Sequence, residues 1–165
     1  MRRRWRSIAA LVLAMVMCFG FAAECRAATY VTDLRNYRID SSGVSWSRYR
    51  TIAQRLKLRS WKTVYFDKAY RNKTIRIGFA RNARYGGTKR YYSFALNRGS
   101  KKFRFYGVTI GDTLATVKRK LSGTKYNYNI QHSSKYWGYG DYDMFVTSFS
   151  GGRLASWKYY CAPTS

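Results

Sequence analysis

Acidic residues are nearly missing from this sequence: seven Asp and Glu stand against 32 Lys and Arg. Glu24 is the only glutamate, His132 the only histidine and Pro163 the only proline. These shortages narrow the chemistry. A general acid–base pair has to be drawn from His132 and six Asp. The best cluster in sequence is His132, Asp141 and Asp143. One His and two Asp lack the tight ligand spacing of a metal site. Three cysteines are present, Cys18, Cys25 and Cys161. No glycine-rich phosphate cradle is present, and the glycines mark turns instead. No cofactor and no metal site is expected.

What is present begins with a leader. Arg2, Arg3, Arg4 and Arg6 precede an apolar run at 8–23, and small residues follow. That is the pattern of a secretory signal peptide, and the run is shorter than the roughly 20 residues of a membrane span. Cleavage after Ala27 and cleavage after Ala22 both satisfy the small-x-small rule. Residues 1–27 are read as the signal peptide and 28–165 as one domain. Five Arg and Glu24 leave with the leader, so 27 cations face six Asp, a formal charge of +21. Such an excess costs self-repulsion and predicts attraction to polyanions. If cleavage follows Ala27, Cys161 is a lone thiol; if it follows Ala22, Cys25 survives and can pair with Cys161 in an oxidising compartment.

The clearest structural signal is 105–123. Asp112 is expected to cap a helix of about ten residues, and Ile110, Leu114, Val117 and Leu121 form one apolar stripe. Lys118, Arg119 and Lys120 crowd the last turn, and Gly123 closes it. A first helix is expected from Ser45 or Ser47 to about Lys57, with Trp46, Tyr49, Ile52, Ala53 and Leu56 on its apolar face.

The remaining pattern is strand-like. Residues 61–66 are aromatic and β-branched. In 73–80, Ile75, Ile77 and Phe79 point one way and Thr74 and Arg76 the other. Gly86-Gly87 marks a turn. Tyr92, Phe94 and Leu96 are expected inward along 90–96, and Phe103 and Phe105 inward along 102–106, with Lys102 and Arg104 outward. Tyr126, Tyr128 and Ile130 line a strand, 131–141 reads as a polar loop, and Gly151-Gly152 joins strands at 143–149 and 154–161. Residues 29–42 read as a loose lead-in with a short strand near Tyr37. The predicted class is α+β: an antiparallel β-meander sheet with two short helices packed on one face. Gly43-Val44-Ser45-Trp46 echoes Gly107-Val108-Thr109-Ile110, which suggests related halves at 43–106 and 107–161.

The run Gly107-Val108-Thr109-Ile110-Gly111-Asp112, followed by Val117, Leu121 and Gly123, resembles a motif of small bacterial envelope proteins. It is similar to the family of small outer-membrane assembly lipoproteins and to the secreted β-lactamase inhibitor proteins, which carry two such units. The resemblance covers 103–160. It implies helices on one face of an antiparallel sheet and a non-enzymatic, protein-binding role outside the cytoplasm. The chain departs from that pattern in lacking a lipobox and in its high positive charge, and no binding residue of the family carries over.

The functional expectation is a secreted, non-catalytic binding protein of the bacterial envelope or exterior. Its partner would be an anionic surface polymer, an anionic lipid or an acidic protein. Arg76, Lys89, Arg90, Lys101, Lys102 and Arg104 are the candidate polyanion-binding residues, because cations at alternate strand positions charge one sheet face. A second expectation is a nucleic-acid- or carbohydrate-binding module that stacks ligands on the 16 tyrosines. The third is a small hydrolase using His132 with Asp141 or Asp143.

Overall fold

The structure is a computed structural model. It describes residues 30–39, 45–85, 88–131, 134–139 and 143–161, with the backbone alone described at 81–85, 88–91, 131 and 134. In chain order the elements are β1 (Thr32–Asp33), a 3-10 turn (Leu34–Tyr37), α1 (Trp46–Arg55), β2 (Arg59–Ser60), β3 (Lys68–Arg71), β4 (Ile75–Tyr85), β5 (Thr88–Asn97), β6 (Phe103–Arg104), α2 (Leu114–Leu121), β7 (Asn127–Gln131), β8 (Ser134–Tyr139), β9 (Asp143–Ser150) and β10 (Arg153–Cys161). The fold is α+β. Eight antiparallel strands form one sheet in the order β2-β3-β4-β5-β10-β9-β8-β7, and β1 pairs in parallel with β6. Four sheet strands follow α1 and four follow α2. The last strand of each set, β5 and β10, meet at the centre.

One face of the sheet carries both helices. Cross-strand partners point to the same side, so the register defines its rows. Tyr70, Ile77, Ala95, Tyr159, Phe145, Trp137 and Tyr128 form one such row. Tyr49, Ile52 and Ala53 of α1 bury against it, with Trp46 stacked on Tyr70 at 5.6 Å. Val117 and Leu121 of α2 join the same core, and Lys118 Nζ lies 4.1 Å from the Tyr128 ring centroid. Ala95 and Ser93 are small because larger side chains from β4 and β10 flank them beneath the helix layer.

Phe105 sits at the middle of that core. Its ring stacks on Phe145 with centroids 4.1 Å apart and touches Tyr126 and Tyr159 at 5.2 and 5.0 Å. The chain then reverses in a two-residue turn in which Tyr106 (φ 49°) and Gly107 (φ 80°) are both left-handed. Glycine adopts that conformation without the steric cost that Tyr106 bears. The turn is held from two sides. The buried Asp33 carboxylate accepts the amides of Tyr106 (2.9 Å) and Gly107 (2.7 Å). Lys120 Nζ donates to the Gly107 carbonyl (2.9 Å) and pairs with Asp112 (2.7 Å).

Several expectations need correction. Asp112 does not cap α2: Thr113 does, accepting from the Thr116 amide, while Asp112 accepts from Thr109 and pairs with Lys120. The helix is accordingly eight residues long. Residues 29–42 are not a loose lead-in where described, since Thr32, Asp33, Leu34 and Ile39 are buried. Residues 61–66 are no strand: β2 stops at Ser60, and the Thr63 hydroxyl accepts the Tyr65 amide and turns the chain. Residues 134–139 are strand β8 rather than loop, because Trp137 buries between β7 and β9. Tyr92 and Phe94 face away from the helices, and Leu96 is buried on that same side. Ile130 shares the row side of Tyr128 but is exposed. The Gly86-Gly87 turn, the Gly43 side of the echo and the leader lie outside the described residues.

Candidate functional site

The second face of the sheet carries neither helix among the described residues. Its rows follow from the same register. Arg59, Arg71 and Arg76 are successive partners across β2, β3 and β4, and the row continues through Leu96 to Lys158. Neighbouring strands lie about 4.8 Å apart, so the three arginine positions are immediate neighbours. Like charges placed directly opposite destabilise a sheet. Part of that cost is offset by Trp61, whose ring centroid lies 5.2 Å from the Arg71 guanidinium and 5.5 Å from that of Arg76. Trp61 is fixed by its amide, which donates to the Ala69 carbonyl (2.8 Å). The ion pairs formed among the described residues use Arg35, Lys120 and Lys125, not this row.

Beside the arginines lies an aromatic surface. Phe66 returns from the 61–67 loop and lies flat over Gly78. A Cβ on Gly78 would meet the Phe66 ring at 2.6 Å, so the absence of a side chain there is what admits the ring. Phe66 stacks on Tyr92 (5.6 Å) and Phe94 (5.8 Å), and Phe94 meets Tyr160 at 5.5 Å. Burial and neighbouring Tyr160 push the Tyr92 hydroxyl up to about 12, so it stays neutral. These rings and Arg76 line a groove of about 420 Å³.

The structure does not bring the six sequence-predicted cations together. Arg76 lies in the arginine row. Lys89 and Arg90 lie near the start of β5, at the distal end of the β4–β5 hairpin. Lys101 and Lys102 are exposed in the turn before β6. Arg104 is in the small β1–β6 sheet rather than outward on the large one, and its Nε is buried without a partner among the described residues. Arg59 and Arg71 were not apparent from the sequence. Finding them requires the strand register, and the usable signal was the alternation of Arg59 with Trp61 ahead of the Arg71–Arg76 hairpin.

The residues considered for catalysis are split. His132 and Asp141 lie outside the described residues. Asp143 is buried on the helix-bearing face, where it accepts from the Tyr126 hydroxyl (3.2 Å) and pairs with Lys125 Nζ (2.9 Å). Burial raises its carboxyl above the usual carboxylate range, against the opposing pull of Lys125. A raised acid pKa means that the fold favours the protonated form. The stability this group contributes is complete below its unfolded value and is lost as pH rises through the folded one. As pH rises from the ordinary aspartate value of about 4 toward neutrality, wild type should therefore lose stability relative to Asp143→Asn, which is neutral throughout. Urea denaturation of both chains across that range checks this, and a gap that moves the other way contradicts it. Among the described residues, no group of three His, Cys, Asp or Glu stands close enough to hold a metal. Cys161 is fully buried at the end of β10, and its candidate partner Cys25 lies outside the described residues. No helix among the described residues is long and apolar enough to cross a membrane.

No protein-family model, curated protein or solved structure matches this chain.

Proposed function

We propose that this is an exported, non-catalytic binding protein that associates with anionic polymers or surfaces through the helix-free face of its sheet. The observation that carries the reading is the Arg59–Arg71–Arg76 row: three cations in adjacent register on a face that, among the described residues, offers them no ion pair and carries no helix. The Trp61 ring offsets only part of the cost of three like charges there, and a row of phosphates would offset the rest. The net charge of the chain, +25 with the leader and +21 without it, supplies a long-range field of the same sign. The leader pattern at the N-terminus supports an extracellular or envelope location, where anionic lipid and wall polymers are the available partners.

A nucleic-acid or carbohydrate module is the second reading, favoured by the aromatic surface beside the arginines. It ranks below the first because Phe66 already covers Tyr92 and Phe94, leaving less ring face for a base or sugar. Titration of the protein with long-chain polyphosphate, a polyanion with no base or sugar, tests the ionic reading. Tight binding in dilute buffer that falls steeply with added salt is the expected result. Failure to bind polyphosphate alongside salt-resistant binding of oligo-dT would transfer the case to the second reading.

A further inference from the structure

The 61–67 loop has a feature that ion binding does not use. Val64 is 92% exposed and Tyr65 78% exposed, the two most exposed large apolar side chains among the described residues, and they are adjacent. They sit at the tip of a loop that is anchored at both ends. Trp61 is held at one end by the hydrogen bond its amide donates to the Ala69 carbonyl and by its contacts with Arg71 and Arg76. Phe66 is held at the other by its seat over Gly78 between Tyr92 and Phe94. The Thr63–Tyr65 turn bond tightens the loop between them. The tip is thus presented on a fixed base, and the described residues leave it exposed.

The surroundings of the tip are cationic. Lys62 and Lys68 flank it in sequence and are exposed, and the arginine row starts at its base. Asp67 is the only acid in the loop. An apolar tip gains nothing from a hydrophilic polymer chain. It gains from a phase that is apolar at depth and anionic at its surface, with a tyrosine suited to the boundary between them. We infer that the 61–67 loop docks the protein on an anionic lipid bilayer, with Val64 and Tyr65 entering the interface and Lys62, Arg59, Arg71 and Arg76 meeting lipid phosphates. This rests on the polyanion reading of the same face and names the surface.

Co-sedimentation tests it, using the protein as the cell matures it. Vesicles of phosphatidylcholine are compared with vesicles of phosphatidylcholine and phosphatidylserine, and polyphosphate binding is measured in parallel. Wild type should bind the anionic vesicles and leave the neutral ones. Val64→Ser with Tyr65→Ser should weaken vesicle partitioning about tenfold and leave polyphosphate binding unchanged. Val64→Leu, which adds one methylene to the tip, should strengthen partitioning roughly threefold. Because both positions are exposed, these variants keep the wild-type thermal midpoint. The inference is overturned if the double variant partitions like wild type, or if Val64→Leu has no effect. Wild type that binds polyphosphate but ignores anionic vesicles overturns the bilayer inference alone. If neither probe is bound, the polyanion reading falls with it.

Discussion

Phe105→Ala is expected to destabilise the protein by about 3–5 kcal/mol, the loss typical of a large buried aromatic cut to a methyl group. Domains of this size have about 5–15 kcal/mol in total, so the variant should sit near the edge of folding. The ring is fully buried and contacts Phe145, Tyr126, Tyr159 and Trp157, which come from three different places in the second half of the chain. Its removal leaves a cavity where β9, β10 and the segment before β7 converge, and these elements cannot all close on it at once. Phe105→Leu fills most of the volume and should cost clearly less. Urea melts of the two variants check the order. A Phe105→Ala midpoint close to wild type would mean that the core is centred elsewhere.

The second large effect concerns Asp33. Asp33→Ala should cost about 3 kcal/mol, lowering the thermal midpoint by roughly 10 °C. Its carboxylate accepts the amides of Arg35, Tyr106 and Gly107. Two of those donors belong to a turn that is already conformationally costly at Tyr106 (φ 49°). Bonds from an amide to a buried carboxylate are stronger than neutral ones, and an amide left without an acceptor carries the desolvation cost alone. Asp33→Asn keeps one acceptor oxygen and should fall between alanine and wild type. The exposed Arg35 contact at 3.8 Å contributes little, so Arg35→Ala should be nearly silent. Equal losses from Asp33→Ala and Arg35→Ala would show that the salt bridge, not the turn, is what Asp33 serves.

The division between what the sequence disclosed and what it hid follows the range of the interactions. Both helices, the β4 alternation and the Gly151-Gly152 hairpin were legible, because periodicity and turn chemistry act within a few residues. Strand β8 was masked by Ser134, Gly138 and nearby polar residues, and only pairing on both sides shows that Trp137 is a core residue. Asp33 looked like part of a polar lead-in because the turn it holds, at Tyr106 and Gly107, lies more than seventy residues away. The facing of β5 was misjudged for a related reason. Tyr92 and Phe94 are the large residues, yet Ser93 and Ala95 face the helices, since Phe79, Ile77 and Tyr159 already fill that layer. The candidate site was partly legible. Arg76 was found from alternation, but Arg59 and Arg71 join it only through register. Lys101, Lys102 and Arg104, close together in sequence, are on other elements, the turn before β6 and β6 itself.

That geometry separates a localised site from a merely basic protein. The measurement that decides between them is the salt dependence of polyphosphate binding in two charge-matched variants. One carries Arg59→Ser, Arg71→Ser and Arg76→Ser; the other carries Lys101→Ser, Lys102→Ser and Arg119→Ser, all three exposed and on other elements, the turn before β6 and α2. Both lose three positive charges. The arginine-row variant should bind more weakly and its salt slope should fall by about three contacts, while the control stays close to wild type. Equal weakening of the two variants, or the greater loss in the control, would contradict a binding face at Arg59, Arg71 and Arg76.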